Sequence, residues 1–216
     1  MSNIITTHEE WLQARLKGIG ASEASAIVGL NPYMNNQDLW KIKTGRKQAE
    51  DISNKACVQY GHDAEGFIRE LFALDYADRY TTRYGGAFDM VHNPQYPWLF
   101  ATLDGRLLDE SGRYGVLEIK TTEILRSMAK EKWKDGIPDN YYVQCLHQLL
   151  ATGFEFAVLH AQLKRVWDGE IVTTRRSYFI ERDEVAEDLD HLLEQEIKFW
   201  ECVQSDKMPP LLLPEI

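Results

Sequence analysis

Residues 101–120 of the chain read ATLDGRLLDESGRYGVLEIK, and this stretch decides the fold. Two runs of β-type residues flank a polar segment, which is typical of two strands joined by a turn. If the turn is centred near Ser111, Asp104 and Glu118 lie opposite each other across an antiparallel pair. Side chains in that position have Cβ atoms about 4.5–5.5 Å apart. The stretch therefore predicts a sheet in which two carboxylates lie side by side.

The alternation of side chains along a strand places further residues on the same face. Thr102 and Lys120 share the face of the two carboxylates. Leu103, Leu117 and Ile119 are expected on the opposite face, towards the core. This register predicts a cluster of two acids, a hydroxyl group and an ammonium group.

Two carboxylates at this separation repel each other and raise each other's pKa values. A divalent cation removes that conflict, and Mg²⁺ prefers carboxylate oxygens together with water and substrate phosphate. Such an ion polarises a phosphoryl oxygen and lowers the pKa of a bound water. Lys120 could hold that water and offset charge in the transition state. The alternative interpretation is a surface hairpin with a cross-strand ion pair, because Asp, Glu and Lys are common residues.

Hydrophobic periodicity and turn residues divide the rest of the chain into helices and strands. Helices are predicted at about 23–28, 37–44, 53–76, 123–134, 139–152 and 183–204, with a shorter one after Thr7. Strands are predicted at about 80–84, 88–92, 99–108, 115–120, 154–163 and 171–180, the last two joined by a hairpin at 167–170. This order predicts an α+β fold, with a mixed β-sheet flanked by helices.

The composition is that of an ordinary globular chain, with 216 residues, 44% hydrophobic and 27% charged. We expect one domain over 1–216, with a core at about 11–153, a hairpin and acidic helix at 154–204, and an apolar tail at 205–216. The beginning of the chain has no signal-peptide pattern and no apolar run is long enough for a membrane span, so a cytoplasmic location is expected. Three scattered cysteines, Cys57, Cys145 and Cys202, fit no disulfide framework and are expected to be buried thiols.

The net charge of −10 at first argues against a nucleic-acid partner. The acidity is concentrated, however, because residues 181–216 contain 11 acidic and only 3 basic side chains. The remaining chain is nearly neutral and can still present a local basic groove.

Two helices carry polar residues at one-turn spacing. Gly61 and Glu65 share a face of the predicted helix 53–76, and a glycine inside a helix costs about 1 kcal/mol relative to alanine. Close approach of a backbone or a ligand would explain that glycine, and Glu65 could then reach a metal directly or through water. Gln144 and Gln148 are also one turn apart, and a glutamine amide can orient Lys120 or an attacking water. A solvated surface role for Glu65 remains the alternative.

The order Gly61-x3-Glu65, Asp104-Gly105, Glu118-x-Lys120 and Tyr141-x2-Gln144 resembles the PD-(D/E)XK nuclease superfamily. More narrowly, the chain resembles the phage lambda-type alkaline exonucleases, the YqaJ-like viral recombinase family. The opening motif of that family is similar to Trp11-x3-Arg15 followed by Gly-Ile-Gly-Ala-Ser-Glu at 18–23. The resemblance covers about 11–153 and implies a restriction-endonuclease-like core.

The resemblance also implies roles for individual residues. Asp104 and Glu118 would bind Mg²⁺, or Mn²⁺ as a substitute, with the backbone carbonyl of Ile119 as a further ligand. Lys120 would be the catalytic lysine, Glu65 would assist at the metal, and Gln144 would help to place the nucleophile.

A pocket for a 5′-phosphate is implied beside the metal site, formed by Arg15, Ser22, Thr102 and Arg126. The residues themselves are suited to that role. A helix that begins at Ser22 would present free backbone N–H groups to an anion, and arginines fork onto phosphate oxygens. Some members of the family have a serine at the position of Thr102, and the hydroxyl group is retained here.

The function implied is a Mg²⁺-dependent 5′-to-3′ exonuclease that degrades one strand of linear double-stranded DNA to 5′-mononucleotides. The 3′ overhang that remains would serve phage-type recombination by single-strand annealing, in a bacterial host and with a phage or prophage origin. The resemblance further implies a ring-shaped homotrimer and an annealing protein as partner. Two alternatives stay open, an endonuclease of the same superfamily and a catalytically silent scaffold that binds DNA ends.

Overall fold

The computed structural model describes residues 7–123, 133 and 136–213. Its helices are α1 (His8–Arg15), α2 (Ala21–Ile27), α3 (Asn36–Lys43), α4 (Ala56–Asp75), α5 (Asp139–Thr152) and α6 (Ala186–Gln204). Its strands are β1 (Ile19–Gly20), β2 (Tyr80–Arg83), β3 (Met90–His92), β4 (Leu99–Thr102), β5 (Gly105–Asp109), β6 (Tyr114–Glu123), β7 (Phe156–Trp167) and β8 (Glu170–Glu181).

The strands form two mixed sheets flanked by the helices. The larger sheet has the order β2-β5-β6-β7-β8, with β6 and β7 parallel and the other neighbours antiparallel. The smaller sheet has the order β1-β4-β3, with β1 and β4 parallel. The predicted α+β class with mixed sheet and flanking helices is confirmed, although the strands are divided between two sheets.

The predicted register of the central hairpin is confirmed. Gly105 pairs with Leu117, and Leu108 pairs with Tyr114. Asp104 therefore lies one residue before the paired part of β5, directly across from Glu118.

The prediction of one continuous strand at 99–108 was wrong. The chain leaves the smaller sheet after Thr102 and enters the larger one at Gly105. An Asp-Gly sequence favours such a change of direction, because both residues are depleted in regular strands. A Cβ at Gly105 would lie 3.2 Å from the Cβ of Leu117, closer than the neighbour tolerates without shifting.

This break also corrects the predicted position of Leu103. Leu117 and Ile119 pack under α4 with Ile68 and Phe72. Leu103 instead joins the larger hydrophobic cluster, which includes Val116 and lies on the α5 side of the sheet. Period-two alternation holds only within one strand, and Leu103 precedes the point where the chain changes sheets.

Several boundaries differ from the prediction. Ser22 does not begin α2; Gly20 caps the helix, because its backbone N–H donates to the Glu23 carboxylate at 2.8 Å. Glu123, predicted as helical, is the last residue of β6. Trp133 is helical, and the rest of 124–134 lies outside the described residues.

The 167–170 hairpin is confirmed, with φ of 51° at Asp168 and 78° at Gly169. Positive φ at both central residues is the type I′ geometry that joins two antiparallel strands closely.

The structure corrects the prediction for one cysteine and shows what the C-terminal tail contacts. Cys145 is buried and Cys202 partly buried, but Cys57 is exposed on α4, contrary to the prediction. The tail packs on its own chain as far as Leu213. Asn36 donates to the carbonyl of Pro210 at 2.7 Å and accepts from the backbone N–H of Leu212 at 3.0 Å. Among the described helices, none has the length and apolar character that a bilayer crossing requires.

Candidate active site

One polar groove collects the predicted functional residues. It has a volume of about 870 Å³ and lies where α1, α2, α4 and α5 meet the ends of β4 and β6. Every predicted site residue within the described part of the chain lines it: Arg15, Ser22, Glu65, Thr102, Asp104, Glu118, Ile119, Lys120 and Gln144. Arg126, assigned to the phosphate pocket, lies outside the described residues.

Glu118 is the buried centre of the groove, with 2% of its surface exposed. One carboxylate oxygen contacts the Lys120 Nζ at 2.5 Å and accepts from the Gln144 amide at 2.6 Å. The other accepts from the Gln148 amide. A carboxylate is buried only when it is paired or hydrogen-bonded, and these three donors meet that requirement. Gln148 was absent from the predicted site, although its spacing of one helical turn from Gln144 places both amides on the same face of the helix.

Asp104 lies across from Glu118 at the start of β5. Its Oδ2 accepts from the backbone N–H of Ile119 at 2.7 Å, and so extends the β5–β6 ladder by a side chain. Burial, followed by the negative charges of Glu118 and Glu65, raises the pKa of Asp104 well above its usual value. The positive charge of Lys120 only partly offsets this effect. The pair of acids is therefore in the repulsive arrangement that the hairpin register predicts.

Strand geometry directs the backbone carbonyl of Ile119 towards the side of the two acids. Paired residues in an antiparallel ladder direct both N–H and C=O to the same neighbour. The Ile119 N–H points to Asp104, so its carbonyl is directed to the same side, beyond the last ladder pair at Gly105. Two carboxylates and a carbonyl are the oxygen donors that Mg²⁺ accepts, with the remaining positions left to water or substrate.

Within 7–123, 133 and 136–213, no three His, Cys, Asp or Glu side chains are grouped to hold a metal ion.

Lys120 carries a positive charge in the groove. Burial alone would lower the pKa of Lys120, but the carboxylates of Glu118 and Asp104 outweigh it and raise that pKa above its usual value. Its Nζ also lies 5.2 Å from the ring centroid of Tyr141, a cation–π contact that the sequence motifs did not predict. At neutral pH Lys120 is a proton donor and a source of positive charge, and it is no base.

Glu65 is held near Asp104 by a residue that sequence reasoning missed. Arg69 Nη1 contacts Glu65 Oε1 at 2.9 Å and donates to the backbone carbonyl of Asp104 at 2.8 Å. The i, i+4 spacing of Glu65 and Arg69 was the available signal. Gly61 lies against β6, since an added Cβ would come within 2.9 Å of Thr121 Oγ1. The close approach inferred from that glycine is made by a strand side chain.

The predicted phosphate residues form a cluster of hydrogen-bond donors at another part of the groove. Arg15 Nη2 donates to Ser22 Oγ at 3.2 Å, and Trp11 Nε1 donates to Thr102 Oγ1 at 3.1 Å. An indole or guanidinium N–H can only donate, so both hydroxyl oxygens act as acceptors in these bonds. Neither bond uses the hydroxyl proton of Ser22 or Thr102, so these protons can be donated to an anion beside the positive charge of Arg15.

His147 has a structural role. Its Nε2 donates to the Phe100 carbonyl at 2.9 Å, and its Nδ1 contacts Glu196 Oε1 at 2.6 Å, with both side chains fully buried. Burial opposes protonation, but Glu196 outweighs it and raises the pKa of His147. The pair ties α5 to α6 and β4, and so supports the helix that carries Gln144 and Gln148.

With this geometry in place, the chain can be compared with known proteins. Residues 10–155 match the model of the YqaJ-like viral recombinase domain. The chain belongs to this family. The family resemblance inferred from the Gly-x3-Glu, Asp-Gly and Glu-x-Lys motifs is therefore confirmed.

The relatives extend the comparison to whole chains. The uncharacterized protein YqaJ of Bacillus subtilis (strain 168) is 31% identical over 200 residues, which are 90% of this chain and 56% of YqaJ. The chain thus spans about half the length of this curated relative. The alkaline exonuclease LHK-Exo of Laribacter hongkongensis is 20% identical with a TM-score of 0.66, covering 92% of this chain and 93% of LHK-Exo.

A phage-related exonuclease of Haemophilus somnus 129PT is 13% identical with a TM-score of 0.54, covering 88% and 96% of the two chains. At these identities, the two exonucleases establish a shared fold.

Proposed function

We propose that the protein is a Mg²⁺-dependent 5′-to-3′ exonuclease that degrades one strand of linear double-stranded DNA. It would release 5′-mononucleotides and leave a 3′ overhang for phage-type recombination by single-strand annealing. The observation that carries the proposal is the placement of Asp104, Glu118 and a positively charged Lys120 in one groove with the donor cluster of Arg15, Ser22 and Thr102. The first group suits phosphodiester hydrolysis, and the second suits a terminal phosphate.

Asp104, Glu118 and the Ile119 carbonyl would hold the Mg²⁺, or Mn²⁺ as a substitute. When bound, the ion supplies Lewis acidity to the scissile phosphate and acidity to a water. Lys120 donates hydrogen bonds to the attacking water or to the phosphoryl oxygens, and its charge stabilises the transition state. Gln144 and Gln148 fix the Glu118 carboxylate, while Arg69 fixes Glu65.

The proposed cleavage regenerates the end group that the phosphate pocket would bind, and the proposed 5′-to-3′ direction rests on that pocket. Water attacks phosphorus, the bond from phosphorus to the 3′-oxygen breaks, and that oxygen leaves as a 3′-hydroxyl after taking up a proton. The leaving nucleotide keeps its own 5′-phosphate, and the shortened strand carries a new one. Each turnover thus regenerates the group that Arg15, Ser22, Thr102 and Arg126 would bind.

Two further points support a nucleotide product and a DNA substrate. LHK-Exo, which shares the fold, has been crystallised with dAMP, a deoxynucleoside 5′-monophosphate. The family is described as viral recombinase, and recombination acts on DNA, which supports a DNA substrate. A ring-shaped homotrimer around the duplex and a single-strand annealing protein as partner are part of the same proposal. A closed ring would retain the duplex topologically, and the overall acidic charge would then matter less.

The test is a digestion time course on a duplex labelled at one 5′ end or internally, with Mg²⁺ or EDTA, beside a closed circular duplex. We expect mononucleotides from the 5′ end of the linear duplex only with the metal, and an intact circle. Cutting of the circle would establish an endonuclease instead. Binding of ends without release of nucleotides would establish a silent scaffold. Lys120→Ala is the matched inactive control, and the mass of the native particle tests the trimer.

A further inference from the structure

A buried cluster of charged residues lies next to the hydrogen-bond donors Arg15, Ser22 and Thr102 of the groove. Glu23 Oε2 contacts Lys43 Nζ at 2.7 Å and accepts from the Gly20 N–H at 2.8 Å. Glu23 Oε1 contacts Arg15 Nη2 at 3.2 Å. Lys43 Nζ also donates to the backbone carbonyl of Arg15 at 2.8 Å. Arg15 is therefore held at both its backbone and its side chain by two residues that were absent from the predicted site.

Lys43 is out of reach of a substrate, because only 1% of its side chain is exposed. An ammonium group in such a place must have hydrogen-bond acceptors, and both of its acceptors belong to this cluster. Glu23 is ionised: burial would raise the pKa of Glu23, but Lys43 and Arg15 outweigh burial and lower that pKa. Burial lowers the pKa of Lys43, and Glu23 only partly offsets this effect, but the contacts of Lys43 with the Glu23 carboxylate and the Arg15 carbonyl are those of an ammonium group. With Lys43 protonated, the cluster contains two positive charges and one negative charge.

The sign of the whole cluster depends on Lys43. The Arg15–Glu23 pair alone is neutral, and a carboxylate 3.2 Å from the guanidinium competes with a phosphate for it. Lys43 supplies the charge that satisfies Glu23 and leaves the cluster with a net positive charge. The same carboxylate orients the guanidinium, which also stacks on the Trp11 ring at 4.8 Å.

We propose that Glu23 and Lys43 are positioning residues for the anion site at Arg15: Glu23 fixes the direction of the guanidinium, and Lys43 keeps the cluster cationic. The ligand is a terminal phosphate of a DNA strand. The inference rests on the proposed function for the assignment of Arg15 to end binding, and it adds a buried pair that never contacts DNA yet sets the preference for phosphorylated ends.

The experiment measures binding without turnover. In a Lys120→Ala background with EDTA, the Kd of a linear duplex with 5′-hydroxyl ends is divided by the Kd of the same duplex with 5′-phosphate ends. We expect Lys43→Met to lower this ratio about tenfold, the value of one hydrogen bond to a charged group. Lys43→Arg, which retains the charge, should restore most of the ratio. Lys41→Met, on the same helix with its side chain 42% exposed, is the matched control and should leave it unchanged.

Glu23→Gln separates positioning from simple electrostatics. It makes the cluster more positive, so charge alone predicts a higher ratio, whereas loss of the oriented guanidinium predicts a lower one. A ratio that rises in Glu23→Gln, or one that is unchanged in Lys43→Met, overturns the proposal. General loss of structure would weaken the binding of both duplexes equally and leave the ratio unchanged. Circular dichroism checks that each variant is folded.

The parent protein tests the proposed function separately. A clear preference for phosphorylated ends in the parent, together with unchanged ratios in the variants, refutes the positioning pair alone. Equal affinity for both ends in the parent refutes end recognition and the positioning pair together.

Discussion

Replacing Asp104 by asparagine should make the metal-free protein more stable while abolishing the proposed nuclease activity. The side chain keeps its shape, and an amide oxygen can still accept from the Ile119 N–H. What disappears is a carboxyl group whose ionised form is disfavoured by burial and by the negative charges of Glu118 and Glu65, which together raise its pKa. We infer that the groove tolerates the repulsion between these carboxylates because a bound cation relieves it.

The size of the effect can be worked from the hairpin register. Unit charges about 5 Å apart, the spacing of directly opposed side chains, repel by about 3 kcal/mol at an effective dielectric constant of about 20. The substitution also removes the attraction between Asp104 and Lys120, and this loss cancels part of the stabilisation. We therefore expect a net stabilisation of about 1–2 kcal/mol, which for a chain of this size raises Tm by roughly 2–8 °C.

The assay is urea and thermal unfolding at neutral pH, in EDTA and then with Mg²⁺. Binding to the native state stabilises a protein by about 2.7 kcal/mol when the ligand is at one hundred times its Kd. The wild-type protein should gain that stability and Asp104→Asn should not, so the order of the two Tm values should reverse on adding metal.

Asp109→Asn in the same hairpin is the control. Hydrogen bonds from Arg113 and Ser111 outweigh burial and lower the pKa of Asp109, so its neutralisation should destabilise the protein. Refutation would come from an Asp104→Asn protein that unfolds more easily than the wild type in EDTA, or that responds to Mg²⁺ as strongly.

Three further predictions concern stability and the packing of the groove. Burial lowers the pKa of His160 to about 4, so its contribution to stability is fully present above pH 6.5 and is lost as the pH falls towards 4. His160→Asn should remove about 3 kcal/mol of that pH dependence in urea unfolding at pH 7 and pH 4; identical pH profiles would contradict it. Asn36→Ala should destabilise the protein by about 1–3 kcal/mol, because two hydrogen bonds to the C-terminal tail are lost. An unchanged midpoint of urea unfolding would show that these bonds contribute nothing to stability. Gly61→Ala should lower nuclease turnover, since its Cβ would meet Thr121 Oγ1 at 2.9 Å, and adding Thr121→Ala should restore it; full activity in the single variant would count against close packing of the two elements.

The sequence was sufficient for the part of the site that lies on one hairpin. Asp104, Glu118 and Lys120 are related by a turn and by period-two alternation, so a single assumption about the centre of the turn placed them together. The break at Leu103 was not accessible in this way. Alternation states which side of a strand a residue faces, but it does not state to which sheet the strand belongs, and so Leu103 was assigned to the wrong side.

Contacts between distant parts of the chain were the main omission. Gln148 reaches Glu118 across 30 residues, and Lys43 reaches Glu23 across 20. Neither residue type is unusual on a helix, so local pattern gives no reason to select one glutamine or one lysine. Their positions depend on how helices dock on the sheets, which is a property of the packed core.

The groove combines two parts of opposite charge, and this combination constrains how a substrate could enter. Under the proposed function, a strand end that carries a phosphate would be attracted to Arg15, Ser22 and Thr102, which lie in the donor cluster. The following phosphodiester would then have to approach Asp104 and Glu118, which repel it. Lys120 compensates only one of these two carboxylates. Under the proposed function, a divalent cation would be needed twice, to relieve the repulsion between the acids and to admit the phosphate, whereas binding of the strand end would require only the donor cluster. Binding of ends should therefore survive removal of metal, and cleavage should not.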